Sequence, residues 1–154
     1  MYNTQQIRGV FSFVFVRNPY ARVVSLYNHF RRYGYEEDFH EFLGSIERIR
    51  GSGANGRFDR RLKSMSRPMI TWTHPPGWPG WTRMFRVENF EDAVLDIKVS
   101  LGLDTEPVDI DVLPQDHSRR LIDKHVSGRI LDLYSEDFEL LEYPKDVPDA
   151  YQAR

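Results

Sequence analysis

The stretch FSFVFVRNPYARVVSLYNHFRRYG, residues 11–34, holds the change of pattern that decides the fold. Phe11 to Val16 are apolar apart from Ser12, with Val and Phe at both parities, as in a strand covered on both faces of a parallel sheet. At Arg17 the character changes. Asn18 is a helix-capping residue, and Pro19 suits a first helical turn, where the missing N–H is no loss. Tyr20, Val23, Val24, Tyr27 and Phe30 then recur at helical spacing on one face, and Gly34 is a natural stop. A buried strand thus passes through one cationic residue into a helix start, whose free N–H groups and dipole favour an anion. The expected geometry is a phosphate pocket at the carboxyl end of a strand.

Two side chains are candidates to complete that pocket. Arg17 offers a planar fork of donors to phosphate oxygens. Ser25, about two turns into the helix, adds a hydroxyl if its face looks back at the strand end. Each charge-assisted hydrogen bond contributes roughly 1.5–3 kcal/mol, so two or three converging donors suffice to hold a phosphate. A plainer reading of the same residues is a capped helix, with Arg17 paired to a carboxylate and Ser25 merely small in a helix interface. Local pattern alone leaves both open.

The totals narrow the field. A chain of 154 residues is expected to form a single domain, with residues 1–9 as a polar lead-in and 144–154 as an irregular, frayed tail. Charge is nearly balanced, 21 Lys and Arg against 23 Asp and Glu, which gives no general case for nucleic-acid binding. Ten Phe, eight Tyr and three Trp suit a packed core or an aromatic surface for a ligand. With no cysteine there is no disulfide framework and no thiolate chemistry. No apolar run approaches the roughly 20 residues of a membrane span, and MYNTQQIRG lacks the apolar centre of a signal peptide. A cytoplasmic chain is the expectation.

Further along, Glu36 to Arg50 read as a second helix with Phe39, Phe42, Leu43, Ile46 and Ile49 on its apolar face, ended by Gly51. GSGANGRFDRRLKS contains a formal G-x-G-x-x-G, but it follows a helix instead of a strand, so it reads as a flexible loop. Its Arg57, Arg60, Arg61 and Lys63 read as a solvated charge run, or as a greeting for an anionic acceptor. Ser66 to Trp81 carries four prolines and two glycines and is expected to be irregular; its three tryptophans pack as a loop or form a platform for a sugar ring. His74 sits among them. Thr82 to Val87 reads as a second strand, followed by a helix capped by Asn89 with Phe90, Ala93, Val94, Ile97 and Leu101 as its apolar face. The tail puts Ile130, Leu131, Tyr134, Phe138 and Leu141 on a closing helical flank. The five histidines show no paired metal spacing, so no metal is expected, and no G-x-S-x-G occurs.

FVFVRNPYARVVSLYNHF closely resembles the 3′-phosphate-binding segment of sulfotransferases that use 3′-phosphoadenosine-5′-phosphosulfate (PAPS), especially the Golgi carbohydrate group and its bacterial relatives. That segment reads strand, Arg, Asp or Asn, Pro, an aromatic residue, then Arg or Lys, Leu or Val, and Ser. The resemblance implies that Arg17 and Ser25 hold the 3′-phosphate of the donor. Arg86-Val87-Glu88 and Leu101-Gly102-Leu103 resemble a second strand-to-helix unit of the family, and Tyr134, Asp137, Phe138 and Tyr143 its closing pattern. By the same resemblance Glu88 binds substrate or anchors its loop, and Arg119 or Arg120 assists at the cofactor's phosphate or is plain surface charge; His74, a lone loop histidine, reads as structural or as a substrate or cofactor contact. The implied fold is α/β and P-loop-like: three layers with a short parallel sheet flanked by helices. The implied activity is transfer of a sulfuryl group from PAPS to a hydroxyl acceptor such as a carbohydrate, with no metal.

Sulfotransferases begin with a strand, a Lys-bearing phosphate loop and a helix. Only sixteen residues precede Arg17, and they hold no Lys and no glycine-rich turn. The domain is therefore expected to be incomplete, by truncation first, or else completed by a partner chain or degenerate, with the catalytic residues unknown and turnover in doubt. Uncovered apolar sheet edge and face predict a homo-oligomer or strand exchange. The competing readings are a nucleotide-binding phosphotransferase relative and a non-catalytic binding or assembly module.

Overall fold

The computed structural model describes residues 10–78, 80–105 and 121–153. In chain order the elements are β1 (Phe13–Val16), α1 (Pro19–Arg32), α2 (Phe39–Ser52), α3 (Gly56–Met65), α4 (Ile70–Thr73), β2 (Arg83–Arg86), α5 (Phe90–Ser100), α6 (Lys124–Leu133) and α7 (Ser135–Leu140). The class is mixed α/β with a short two-stranded parallel sheet, as expected for a small, incomplete α/β domain. The chain forms two compact units: Met1–Arg17 with Met69–Leu113, and Asn18–Pro68 with Pro114–Arg154.

In the first unit β1 and β2 run parallel in the register Phe13↔Arg83, Val14↔Met84, Phe15↔Phe85 and Val16↔Arg86. Ser12 sets that register from outside the strand: its N–H donates to Thr82 Oγ1 at 3.1 Å, and its carbonyl accepts from Arg83 N at 3.1 Å. Phe15 then meets Phe85 and, from the start of α5, Phe90, with ring centroids 5.8 and 5.2 Å apart. The expected strand, buried on both faces, is corrected here. Only Val16 is buried and Phe13 is 39% exposed, because two strands and one flanking helix cover little of either face. The helix after β2 shows the same shortage of cover. Of its expected apolar face only Ala93 is buried, and Leu101 is 49% exposed.

The second unit is helical and closed. Asn18 caps α1 through its Oδ1, which accepts from Tyr20 N at 2.9 Å and Ala21 N at 3.4 Å, and Pro19 opens the first turn. Every residue of the expected apolar face, from Tyr20 to Phe30, is buried. Beyond the cap residue Tyr33, Gly34 takes φ +88°, a left-handed conformation that suits glycine. Asp38 and Glu41 close a reciprocal capping box at the start of α2, whose Phe39, Phe42, Leu43, Ile46 and Ile49 are all buried. That helix runs past Gly51 to Ser52 and stops at Gly53, φ +91°.

Two further expectations are corrected in this unit. The segment read as a flexible loop is mostly α3. Its Leu62 is fully buried, and its Asp59 takes both guanidinium donors of Arg48 at 3.0 Å and the N–H of Asn55 at 3.0 Å. A polar, arginine-rich turn thus becomes a helix through contacts made to a partner distant along the chain. The tail is irregular but does not fray. Ile122 N donates to Tyr151 O at 3.0 Å, Ala153 N to Ile122 O at 2.9 Å, and Tyr151 is buried.

Candidate functional site

The junction at Arg17 and Asn18 is built by the change from strand to helix. Arg17 follows β1 directly and is half-buried; it makes no ion pair and no side-chain hydrogen bond among the described residues. A guanidinium in that state keeps its fork of donors for an external anion. Ser25 belongs to α1 and is exposed, while its neighbours Val23, Val24, Leu26 and Tyr27 are buried. Its hydroxyl lies on the solvent side of the helix and is not packed into an interface. Of the plain-cap reading the structure shows the Asn18 cap; among the described residues it gives Arg17 no carboxylate, and Ser25 is exposed.

The helix start differs from the expectation in one respect. Pro19 has no N–H, Tyr20 and Ala21 give theirs to Asn18 Oδ1, and Arg22 N donates to Asn18 O at 2.9 Å. The first-turn donors that an anion would use are therefore occupied by the capping residue itself. The helix dipole remains, but any anion here depends on side chains.

Arg22 is a residue whose role the sequence reading did not find. It is mostly buried and donates to Met65 O at 2.8 Å and Arg67 O at 2.6 Å, while its Nη1 lies 3.9 Å from Asp137 Oδ2. Burial pushes its guanidinium below the usual arginine range; Asp137 acts in the opposite sense. Arg50 lies over the ring of Tyr134 at 4.6 Å and donates to Leu133 O and, at 3.0 Å, to Ser66 O. Tyr134 in turn donates its hydroxyl to Ser66 O at 2.9 Å. The Tyr134–Asp137–Phe138 pattern is thus the far half of a clamp on α1 and the 65–67 turn. The signal for it was an arginine placed among the buried residues of a helix face.

The remaining expected contacts separate. His74 is exposed and its Nδ1 lies 3.0 Å from Thr73 Oγ1, beside a paired Trp78 and Trp81 whose rings are 4.8 Å apart. Trp81 Nε1 donates to Thr73 O at 2.8 Å, so at least one tryptophan of this segment holds the loop together. Glu88 is exposed in the short turn between β2 and α5. Arg119 and Arg120 lie outside the described residues. Among the described residues no group of three or more His, Cys, Asp or Glu is placed to hold a metal, and no helix is long and apolar enough to cross a membrane.

A short parallel strand pair with its flanking helices, and an arginine directly after the first strand, make this a mixed α/β protein. The profile of the sulfotransferase family matches residues 1–144, and the chain belongs to that family. Comparison with curated proteins and with solved structures gives no match.

Proposed function

We propose that this chain binds the 3′-phosphate of PAPS, or of its product adenosine 3′,5′-bisphosphate, through Arg17 and Ser25, and serves transfer of a sulfuryl group to a hydroxyl acceptor such as a carbohydrate. Family membership supports sulfuryl transfer from a donor to an acceptor. The observation that carries the finer reading is the half-buried Arg17, left without a partner among the described residues directly after β1. PAPS supplies the activated sulfuryl group; Arg17 and Ser25 grip and orient its remote end. Because the helix N–H groups are taken by Asn18, the two side chains carry the recognition. Turnover needs in addition a base for the acceptor hydroxyl and positive charge over the departing phosphate. Binding and turnover are therefore separate questions.

Calorimetry with adenosine 3′,5′-bisphosphate against 5′-AMP tests the reading. The bisphosphate is expected to bind more tightly, and Arg17→Ala to remove that preference, a loss of roughly 1.5–3 kcal/mol. Ser25→Ala is expected to lose less. Equal affinity for the two nucleotides in the parent chain would falsify the assignment. Radiolabelled sulfuryl transfer from PAPS then separates an enzyme from a binding module. Self-association goes with this reading, since Phe13, Met84, Leu95 and Val99 are exposed in the first unit. So does a cytoplasmic setting, where a chain without cysteine has no disulfide to lose.

A further inference from the structure

The outer face of α3 has no part in the donor site. Arg57, Arg60, Arg61 and Ser64 fall at i, i+3, i+4 and i+7, on one side of the helix, and all are exposed. Leu62 and Asp59 occupy the opposite side and are buried. Asp59 is the sole carboxylate between Gly56 and Arg67, and it is spent inward on Arg48. Arg57 and Arg60 make no ion pair or side-chain hydrogen bond among the described residues.

The cationic face continues onto the last turn of α1. Arg61 lies over the ring of Tyr33 at 4.8 Å, and its Nη2 is 3.0 Å from His29 Nε2. Burial first, then the charges of Arg61 and Arg32, push the His29 imidazole below its usual range. Tyr33, under the Arg61 guanidinium, stands 68% exposed. An acidic stretch, Glu36 and Glu37, follows Tyr35, which stacks on Phe58 at 5.4 Å. Phe58 is a quarter-turn round α3 from Arg57, so those carboxylates flank the face and do not interrupt it.

We propose that the outer face of α3, with Tyr33 and Arg32, docks on an anionic lipid surface. Cations clustered on one side of an amphipathic helix are drawn to acidic headgroups, and an exposed tyrosine suits the boundary between headgroup and acyl chain. A neutral saccharide chain would be read by a groove with amides and carboxylates, for its many hydroxyls. The α3 face is convex and offers guanidiniums, one hydroxyl and an aromatic rim, with no amide or carboxylate. Attraction of this kind needs no pocket, and it is compatible with the chain's overall charge of −2, because field falls off within a Debye length.

Flotation of the full chain with vesicles tests this, comparing phosphatidylcholine alone with phosphatidylcholine containing phosphatidylserine. Binding is expected only with phosphatidylserine, and it is expected to fall when salt is raised from about 0.1 M to about 0.5 M. R57E with R60E should weaken it at least about tenfold with an unchanged melting temperature, since neither side chain holds the fold. Y33A should weaken it less. Lys124→Glu with Lys145→Glu carries the same change of net charge elsewhere and should bind as the parent does. Equal binding to both vesicles, or equal loss in the control variant, overturns the proposal. So does capture by chondroitin sulfate or polyglutamate under salt that releases the chain from vesicles, which would reassign the face to a soluble polyanion. Each readout is independent of nucleotide binding, so failure here leaves the Arg17 assignment standing, and the reverse.

Discussion

The helical unit and the sheet unit are made from similarly apolar stretches, yet they end in opposite states. In the helical unit α1 and α2 bury their whole apolar faces, and each helix start is closed by a side-chain cap. Charges are absorbed as well: Arg48 on Asp59, Arg129 on Glu47 and Arg50 on Tyr134. In the sheet unit β1 buries one residue, α5 buries one residue, and Asn89 makes no side-chain cap at the start of α5. An apolar pattern states that a face wants cover; whether cover arrives is decided by how many other elements share the unit.

Core truncation should expose that contrast most strongly. Phe42 is fully buried, with Tyr27, Phe30 and Tyr35 rings within 6 Å of its own. Phe42→Ala is expected to lower unfolding free energy by about 3–5 kcal/mol in urea titration, whereas Phe85→Ala, in the half-covered sheet, should lose markedly less. Similar losses would mean that the two units unfold as one and that the sheet is better covered than its exposure implies. The next effect is smaller. Asn18→Ala removes the acceptor for two first-turn N–H groups and should cost about 1–2 kcal/mol. It should also free those donors for a phosphate, so bisphosphate affinity is expected to be kept or improved while stability falls. Parallel loss of both would place the anion on Asn18 itself.

Acid sharpens the same comparison. The Arg129 hydrogen bonds hold the Glu47 carboxyl below its usual range; Arg48 and the Asn55 N–H do the same for Asp59, and the Val126 N–H for Asp123. All three belong to the helical unit. A depressed folded-state value means that the unfolded chain binds protons first as pH falls, so this stability is present above the ordinary carboxylate range near pH 4 and is lost below it. Melting temperature should therefore drop between about pH 5 and pH 3, and Glu47→Gln should flatten part of that drop.

Local signals made the Asn18 cap, the faces of α1 and α2 and the position of β2 legible, because each is written within one or two turns of chain. The place of Arg17, as the single cation between a strand and a capped helix, was legible for the same reason. What stayed hidden depends on residues far apart. The segment read as a loop folds as α3 because Asp59 finds Arg48 and Leu62 finds the core. Tyr151 is held by Ile122, twenty-nine positions earlier in the chain. The occupancy of the first-turn N–H groups by Asn18 was implicit in choosing it as a cap, yet it takes those donors away from any anion proposed there. Arg22 carried no role in the sequence reading, because its partners Met65, Arg67 and Asp137 lie far along the chain.

The smallest expected effect bears on the exposed side of the sheet unit. Leu95 and Val99 are one turn apart on α5, 47% and 61% exposed. Replacing both by Lys removes little buried surface, so the unfolding free energy should move by no more than about 0.5 kcal/mol. Association is a different matter. If two copies cover these faces for each other, the double variant should shift sedimentation from a larger species to the 18.2 kDa monomer. A parent chain already monomeric at micromolar concentration removes the need for a partner on α5. A measurable stability loss in a monomeric double variant would show that the face is covered within the chain itself, and the contrast between the two units would shrink accordingly.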